Sequence, residues 1–297
     1  MNLSDQIWKA TRIALPRLEV NAPLDFVMRG DGNEADGTIT AIVYRAREPV
    51  VVVKFPRGTL GDTIEREHSN MRRVADMFGR RGLVGLPGEF GLAYVDSRPF
   101  LVVGYVSGVL LTSYFTHRSR TNTRIALGLG LRVATWLREF HSLRSELDDL
   151  EKQPSAKTET NNLGPTHGDL LCRNIMVSRA GPMLVLDWQN FSLDEPQVVD
   201  LVTFVLDLAT WTLRSDAHLI RETFVPSGRF APTAARIFSF YDKSLIDDDM
   251  LQGALRGYFA HIHKRTGRRA DRGLVQMHSR LEREFESCEL SVSLAAN

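Results

Sequence analysis

The residues of this sequence that are best suited to chemistry are three oxygen-bearing side chains at close spacing. Asp169 and Asn174 lie in segment 167–174 (His-Gly-Asp-Leu-Leu-Cys-Arg-Asn), and Asp187 follows Asn174 by thirteen residues, at the end of a predicted β-hairpin. Phosphoryl transfer needs a carboxylate that orients the attacking hydroxyl and Mg²⁺ that bridges the nucleotide phosphates. Oxygen atoms are the ligands that Mg²⁺ prefers. We therefore predict that Asp169 accepts the hydroxyl proton and that Asn174 and Asp187 hold Mg²⁺.

The same residues resemble the catalytic loop of a known family. The aminoglycoside phosphotransferase and choline kinase branch of the protein-kinase-like fold has H-G-D-x-x-x-x-N in this loop and a metal aspartate before a bulky residue, where protein kinases have H-R-D and D-F-G. His167-Gly168-Asp169 and Asn174 match the first pattern, and Asp187-Trp188 matches the second. The resemblance implies an α+β, bilobal protein-kinase-like fold, with a small antiparallel-sheet N-lobe carrying one helix and a larger, mainly helical C-lobe.

The resemblance also implies nucleotide-binding residues upstream of this loop. Lys54 ends a strand-like run of valines and would pair with the α- and β-phosphates, while Glu67 would orient that lysine. Gly104, Tyr105 and Val106 would form a hinge whose backbone groups bind the adenine edge. The co-substrate implied is ATP or GTP.

Two residues would support the loop without taking part in the chemistry. His167 is expected to be held by hydrogen bonds beneath the loop, and Asp200 would anchor the loop through hydrogen bonds to its backbone. With these residues the resemblance spans roughly residues 26 to 210.

The presumed phosphate-covering turn departs from the family pattern. Gly30 and Gly32 have the G-x-G spacing and are assigned to the nucleotide site, but the third glycine is lacking. Asp31, Glu34 and Asp36 put negative charge where the triphosphate should lie. Either these side chains point outward from the turn, or the turn binds nucleotide weakly.

The elements that must position these residues change in type along the chain. Apolar alternation and turn residues predict strands over 26–28, 38–45, 50–55, 88–94 and 100–105, and helical spacing predicts helices over 4–15 and 63–78. Beyond residue 108 the pattern becomes mainly helical, from 124–143 to 274–288, interrupted by two short strands over 175–177 and 183–186. We therefore predict a nucleotide-binding lobe at 1–104 and a catalytic and acceptor-binding lobe at 105–297.

Composition narrows the class of partner and compartment. Lys and Arg number 37 against 36 for Asp and Glu, so no whole-chain field favours nucleic acid or an anionic membrane as a partner. The two cysteines, Cys172 and Cys288, form no C-x-x-C pair, which fits a reducing compartment. Charged residues interrupt the first twenty positions, and no apolar run reaches the roughly 18 residues of a membrane helix. We expect a cytoplasmic protein.

Three functions remain open at this point. A small-molecule kinase needs only the residues named above, and its acceptor would be an aminoglycoside-, choline- or sugar-like hydroxyl compound. A protein kinase needs a long activation segment, but only eight residues separate Asp187 from Pro196. A non-catalytic nucleotide-binding protein of this fold would usually lack at least one of the residues identified here. The acceptor, the choice of ATP or GTP and the oligomeric state are not predicted.

Overall fold

The computed structural model divides the chain into two compact units, which are described separately. The first unit comprises Met1–Val109 with Met176–Asn190, and the second comprises Leu110–Ile175 with Phe191–Asn297. The residues that the structure describes are 2–17, 25–30, 38–58, 62–79, 85–115, 122–142, 163–178, 183–215, 217–242, 248–266 and 272–288. The lobe boundary placed after residue 104 stays a prediction.

A five-stranded antiparallel sheet forms most of the first unit. Its strand order is β1-β2-β3-β5-β4, and the strands are β1 (Asp25–Gly30), β2 (Thr38–Arg45), β3 (Glu48–Pro56), β4 (Phe90–Val95) and β5 (Arg98–Gly104). Strand β3 has the alternating burial that is typical of a sheet with one covered face. Val51, Val53 and Phe55 are buried, whereas Val52 and Lys54 between them are partly exposed. Because successive strand side chains point to opposite faces, this alternation places Lys54 on the face away from the core made by Val51, Val53 and Phe55.

Two helices complete this sheet. Helix α1 (Leu3–Ala14) begins at Asn2, whose side chain accepts the Asp5 N–H, and buries Ile7 and Ala10 against the sheet core. Helix α2 (Asp62–Gly79) buries Ile64, Met71 and Val74 at helical spacing, so one stripe faces inward. The first unit also holds most of a three-stranded sheet of order β6-β8-β9, formed by β6 (Gly108–Leu110), β8 (Ile175–Ser178) and β9 (Met183–Val185).

The second unit is mainly helical, which completes the predicted α+β fold. Its helices are α3 (Asn122–His141), α4 (Val198–Leu213), α5 (Leu219–Phe224), α6 (Ala231–Tyr241), α7 (Asp248–Thr266) and α8 (Arg272–Ser287). Helix α4 is apolar on nearly all sides and accordingly buries most of its residues. An antiparallel pair, β7 (Leu163–Thr166) with β10 (Ser192–Pro196), brackets the segment that contains the predicted catalytic loop.

The structure adds elements that the sequence patterns did not predict. Strands β6, β7 and β10 are three to five residues long, too short to show an alternation. The sequence patterns also predict a helix over 216–224 and a loop or partly helical insertion over 144–165. The helix is present at Leu219–Phe224, and residues 143–162 lie outside the described residues. No helix among the described residues combines the length and the apolar character needed to cross a membrane.

Candidate active site

An ion pair between Lys54 and Glu67 lies at the centre of the first unit's polar cluster. Lys54 Nζ donates to Glu67 Oε1 at 2.6 Å and to Asp187 Oδ1 at 3.3 Å. The Glu67 side chain is 4% exposed, the Lys54 side chain 19% and the Asp187 side chain 32%. The cluster therefore runs from a buried carboxylate, through the ammonium group, to a carboxylate that solvent reaches.

The proton affinities in this cluster follow from burial and charge. Burial on its own would lower the pKa of Lys54, but the carboxylates of Glu67 and Asp187 outweigh burial, and the pKa is raised. Burial raises the pKa of Glu67, and the Lys54 ammonium opposes that rise. Lys54 is thus a cation across the physiological pH range.

Asp187 lies in a turn that is held from helix α2. Its backbone has a φ of 68°, in the left-handed region that aspartate tolerates better than most residues. Asn70, one turn after Glu67, donates its Nδ2 to the carbonyls of Trp188 at 2.9 Å and Gln189 at 3.3 Å. One helix therefore orients both Lys54, through Glu67, and the turn that carries Asp187, through Asn70.

The sequence prediction did not include Asn70, although a signal was present. Asn70 follows Glu67 by three residues on the stripe of α2 that also carries Ile64, Met71 and Val74, and it is 6% exposed. A polar residue on such a stripe must find hydrogen-bond partners when it is buried. Here the partners are backbone carbonyls of the turn after β9.

The predicted hinge residues differ in whether their backbone N–H groups already donate a hydrogen bond within the protein. The Gly104 N–H donates to Glu89 O at 2.8 Å, and the Tyr105 N–H donates to Val50 O at 3.0 Å. The Val106 N–H donates to no residue in the described part of the chain. Of the three predicted hinge amides, Val106 is the one that remains available to a nucleotide base.

The glycine turn is described only at its start. Gly30 is the last residue of β1 and pairs with Ile39 of β2. Gly32 and the three acidic residues of the turn lie outside the described residues.

In the second unit, Asp200 binds the start of the predicted catalytic loop. Its carboxylate is fully buried at the first turn of α4 and accepts the N–H of His167 at 2.6 Å and of Gly168 at 2.9 Å. Gly168 has a φ of 77°, which a residue with a side chain would rarely adopt. The glycine of the H-G-D motif is therefore required by the backbone turn that Asp200 binds.

The pKa of Asp200 reflects these partners. Burial would raise the pKa, but His141, His167 and the His167 N–H stabilise the carboxylate, and the net direction is downward. His141 lies behind Asp200, with its Nε2 3.7 Å from Asp200 Oδ2 and its Nδ1 2.5 Å from the hydroxyl of Tyr241. Asp200 is thus ionised when it binds the loop.

Within the loop, hydrogen bonds connect the three motif residues. The Asp169 N–H donates to His167 Nδ1 at 3.2 Å, so this ring nitrogen acts as an acceptor. Asn174 is 6% exposed, and its Nδ2 donates to the Asp169 carbonyl at 2.9 Å and to Asp169 Oδ2 at 3.3 Å. The His167 ring therefore contacts the backbone of Asp169, and Asn174 is hydrogen-bonded directly to Asp169.

The two predicted metal ligands present oxygen atoms suited to Mg²⁺. Because Asn174 Nδ2 faces two oxygens of Asp169, the Asn174 Oδ1 is left without a hydrogen bond from any described residue. In the same described part of the chain, only Oδ1 of Asp187 is engaged. No group of three or more His, Cys, Asp or Glu side chains among the described residues could hold a metal ion.

Comparison with known proteins bears on the fold. No family model matches the sequence, and no curated protein matches it. A solved structure of the GDP and kanamycin complex of APH(2'')-IIia is similar, with a TM-score of 0.53 and 13% identity, over 94% of this chain and 98% of that chain. The streptomycin–ATP ternary complex of APH(2'')-IIa gives a TM-score of 0.49 and 15% identity, over 88% and 89% of the two chains. The chain has the protein-kinase-like fold. At such low identity, the fold is what the similarity shows.

Glu67 and Glu65 provide a matched test of the ion pair. Glu67→Gln should lower the free energy of unfolding by about 1–3 kcal/mol, because it removes the closest charge partner of a partly buried ammonium. Glu65 precedes Glu67 by two residues, so it lies on the other side of α2, and among the described residues it contacts the exposed Tyr94 hydroxyl at 2.5 Å. Glu65→Gln should therefore change stability by less than about 0.5 kcal/mol. Urea unfolding measures both, and a larger loss from Glu65→Gln would contradict this assignment.

Proposed function

We propose that this chain is a phosphotransferase that moves the γ-phosphoryl group of ATP or GTP onto a hydroxyl of a small molecule. The observation that carries the proposal is the partly exposed Lys54 ammonium, fixed by the buried Glu67 and adjacent to the solvent-reached carboxylate of Asp187. A fixed cation beside a free carboxylate oxygen suits a polyphosphate and its magnesium ion. The net contribution of such a pair to stability is small because desolvation offsets its attraction, although removal of one partner leaves an uncompensated charge.

In the first unit the proposed roles concern nucleotide binding. Lys54 neutralises charge on the α- and β-phosphates, and Glu67 prevents Lys54 from turning away. Val106 offers its backbone N–H to the base, next to Gly104 and Tyr105, which shape the hinge. Gly30 and Gly32 belong to the turn proposed to cover the phosphates.

In the second unit the proposed roles concern the reaction itself. Asp169 accepts the proton of the acceptor hydroxyl and orients its oxygen toward the γ-phosphorus. His167 and Asp200 hold the backbone around Asp169, which keeps the carboxylate in place without reorganisation. Asn174 and Asp187 are the proposed ligands of Mg²⁺, which when bound neutralises the negative charge of the phosphates.

The acceptor is proposed to be a small molecule because the chain after Asp187 is short and already structured. A 3₁₀ turn (Trp188–Asn190) and β10 fill the interval to Pro196, and α4 begins at Val198. Strand β10 pairs with β7, so one of its two edges is already occupied. The ligands in the similar structure, GDP and kanamycin, are a nucleotide and a hydroxylated small molecule, which agrees with the proposal.

We also propose that the protein acts in the cytoplasm. Nucleoside triphosphates and Mg²⁺ are available there, and both cysteines, Cys172 and Cys288, are free thiols as expected in a reducing compartment.

Asp169→Asn should separate binding from chemistry. The amide keeps the shape of the side chain but cannot accept the hydroxyl proton, so turnover should fall about 10²- to 10⁴-fold. Nucleotide affinity, measured by calorimetry, should change by less than about threefold, because Asp169 is not proposed to contact the phosphates. Asp194→Asn, at an exposed carboxylate of β10, is the matched control and should keep wild-type turnover. Near wild-type transfer by Asp169→Asn would rule out its role as the base.

The class of acceptor can be tested with γ-labelled ATP or GTP and Mg²⁺. We expect the purified protein to label a component of a pool of hydroxylated small molecules, including cationic amino-sugars and amino-alcohols. Asp169→Asn should abolish that product. Labelling of proteins in an extract, dependent on Asp169 and without any small-molecule product, would overturn the small-molecule assignment. Stoichiometric nucleotide binding without labelled product in either pool would favour a non-catalytic binding protein.

A further inference from the structure

A second carboxylate of helix α4 contacts the catalytic loop. Asp207 Oδ2 accepts the backbone N–H of Cys172 at 2.7 Å. Asp207 is half-buried, and its neighbours in the sequence, Leu206 and Leu208, are buried apolar residues. Neither the H-G-D-x-x-x-x-N pattern nor the aspartate before Trp188 includes this residue.

The spacing of the two α4 carboxylates matches the two ends of the loop. Asp207 follows Asp200 by seven residues, about two helical turns, so both side chains lie on the same side of the helix. Asp200 binds the N–H groups of His167 and Gly168, which precede Asp169. Asp207 binds the N–H of Cys172, which follows Asp169. The base is therefore held on both sides by one rigid helix.

The contact at Cys172 reaches Asp169 through a short series of hydrogen bonds. Cys172 begins the 3₁₀ turn Cys172–Asn174, in which the Asn174 N–H donates to Leu171 O at 2.8 Å. Asn174 Nδ2 then donates to the carbonyl and to Oδ2 of Asp169. A displacement of Cys172 would move the turn, and with it the side chain that is hydrogen-bonded to the base.

The charges around Asp207 agree with a held backbone contact. Burial raises the pKa of Asp207, whereas the Cys172 N–H, the Cys172 thiol and the Arg173 charge oppose the rise and the Asp169 charge adds to it. The Cys172 side chain is fully buried, and burial, followed by the Asp207 charge, raises the pKa of its thiol. Cys172 is therefore a poorly reactive thiol for as long as the loop stays in place.

We propose that Asp207 is a positioning residue of the proposed reaction, which holds the C-terminal side of the catalytic loop through the Cys172 N–H. Its effect on turnover rests on the proposed function, whereas its hold on Cys172 does not. Asparagine at this position offers an oxygen that accepts the same hydrogen bond but carries no charge. Asp207→Asn therefore shows whether Asp207 acts through its hydrogen bond or through its charge.

The test uses the full chain with Cys288→Ser, so that Cys172 is the remaining thiol of the two in the sequence. Asp207→Leu keeps the branching at Cγ but removes the acceptor, and Asp207→Asn is the matched variant that keeps it. Iodoacetamide alkylation of Cys172 reports opening of the loop. In Asp207→Leu we expect alkylation to accelerate about tenfold or more, the factor corresponding to one hydrogen bond to a charged group. Asp207→Asn should stay within about threefold of the parent.

Turnover supplies the second readout. Asp207→Leu should lower kcat about tenfold or more while the nucleotide KM changes less than about threefold, and Asp207→Asn should restore kcat. The proposal would be overturned if Asp207→Leu were alkylated at the wild-type rate, or if its kcat were unchanged despite faster alkylation. It would also be overturned if Asp207→Asn were as impaired as Asp207→Leu. A raised acceptor KM with unchanged kcat would also overturn it and would make Asp207 an acceptor-binding residue.

If Asp207→Leu does not fold, hydrogen exchange of the wild-type protein still tests whether Asp207 holds the Cys172 N–H. In hydrogen exchange the Cys172 amide should be protected to a degree similar to the Gly168 amide, which Asp200 binds. An unprotected Cys172 amide beside a protected Gly168 amide would overturn the hold by Asp207. If wild-type protein shows no phosphoryl transfer, the proposed function fails, while the alkylation and exchange results still decide whether Asp207 holds the loop.

Discussion

The arrangement of the first unit depends on one requirement, that the ammonium group of Lys54 be neutralised where it lies. A partly buried charge is costly unless it is paired and hydrogen-bonded. Strand β3 supplies the lysine, α2 supplies Glu67, and the turn after β9 supplies Asp187. Helix α2 can present Glu67 only because its apolar stripe packs inward, and the same stripe carries Asn70 to the turn of Asp187. Packing, charge pairing and site geometry are therefore consequences of the same helix orientation.

The second unit meets the corresponding requirement for a negative charge. Asp200 is fully buried in α4, and two backbone N–H groups of the catalytic loop satisfy its carboxylate. Because the partners are backbone groups, the loop adopts one conformation around them, and Gly168 takes the left-handed geometry that this conformation needs. Each unit thus contains a buried carboxylate that positions a residue proposed to act on substrate. Glu67 binds the side chain of Lys54 directly, and Asp200 binds the backbone that precedes Asp169.

The sequence predicted those features that depend on the residues immediately before and after them in the chain. The alternation along β3 predicted its strand, and the H-G-D-x-x-x-x-N motif predicted a loop that contains both Asp169 and Asn174, although not the hydrogen bond between them. It could not predict which hinge amide stays available, because the partners of Gly104 and Tyr105 come from distant segments. Asn70 was visible as a polar residue on an apolar helical stripe, but its partners, like that of Asp207, are backbone atoms more than thirty residues away, which no sequence motif identifies. The strands β7 (Leu-Gly-Pro-Thr) and β10 (Ser-Leu-Asp-Glu-Pro) were missed because they consist largely of residue types that are depleted in strands.

The proposed nucleotide and magnesium site is tested most directly by the magnesium dependence of nucleotide binding. This measurement requires no knowledge of the acceptor. A non-hydrolysable ATP or GTP analogue is titrated into the purified chain by calorimetry, with Mg²⁺ and with a chelator. We predict one site per chain, tighter with Mg²⁺ by about tenfold or more, the factor expected for one charge-assisted contact. Asp187→Ala should lose that difference while the chain stays folded. Affinity that is the same with and without Mg²⁺, or no nucleotide binding at all, would contradict the account.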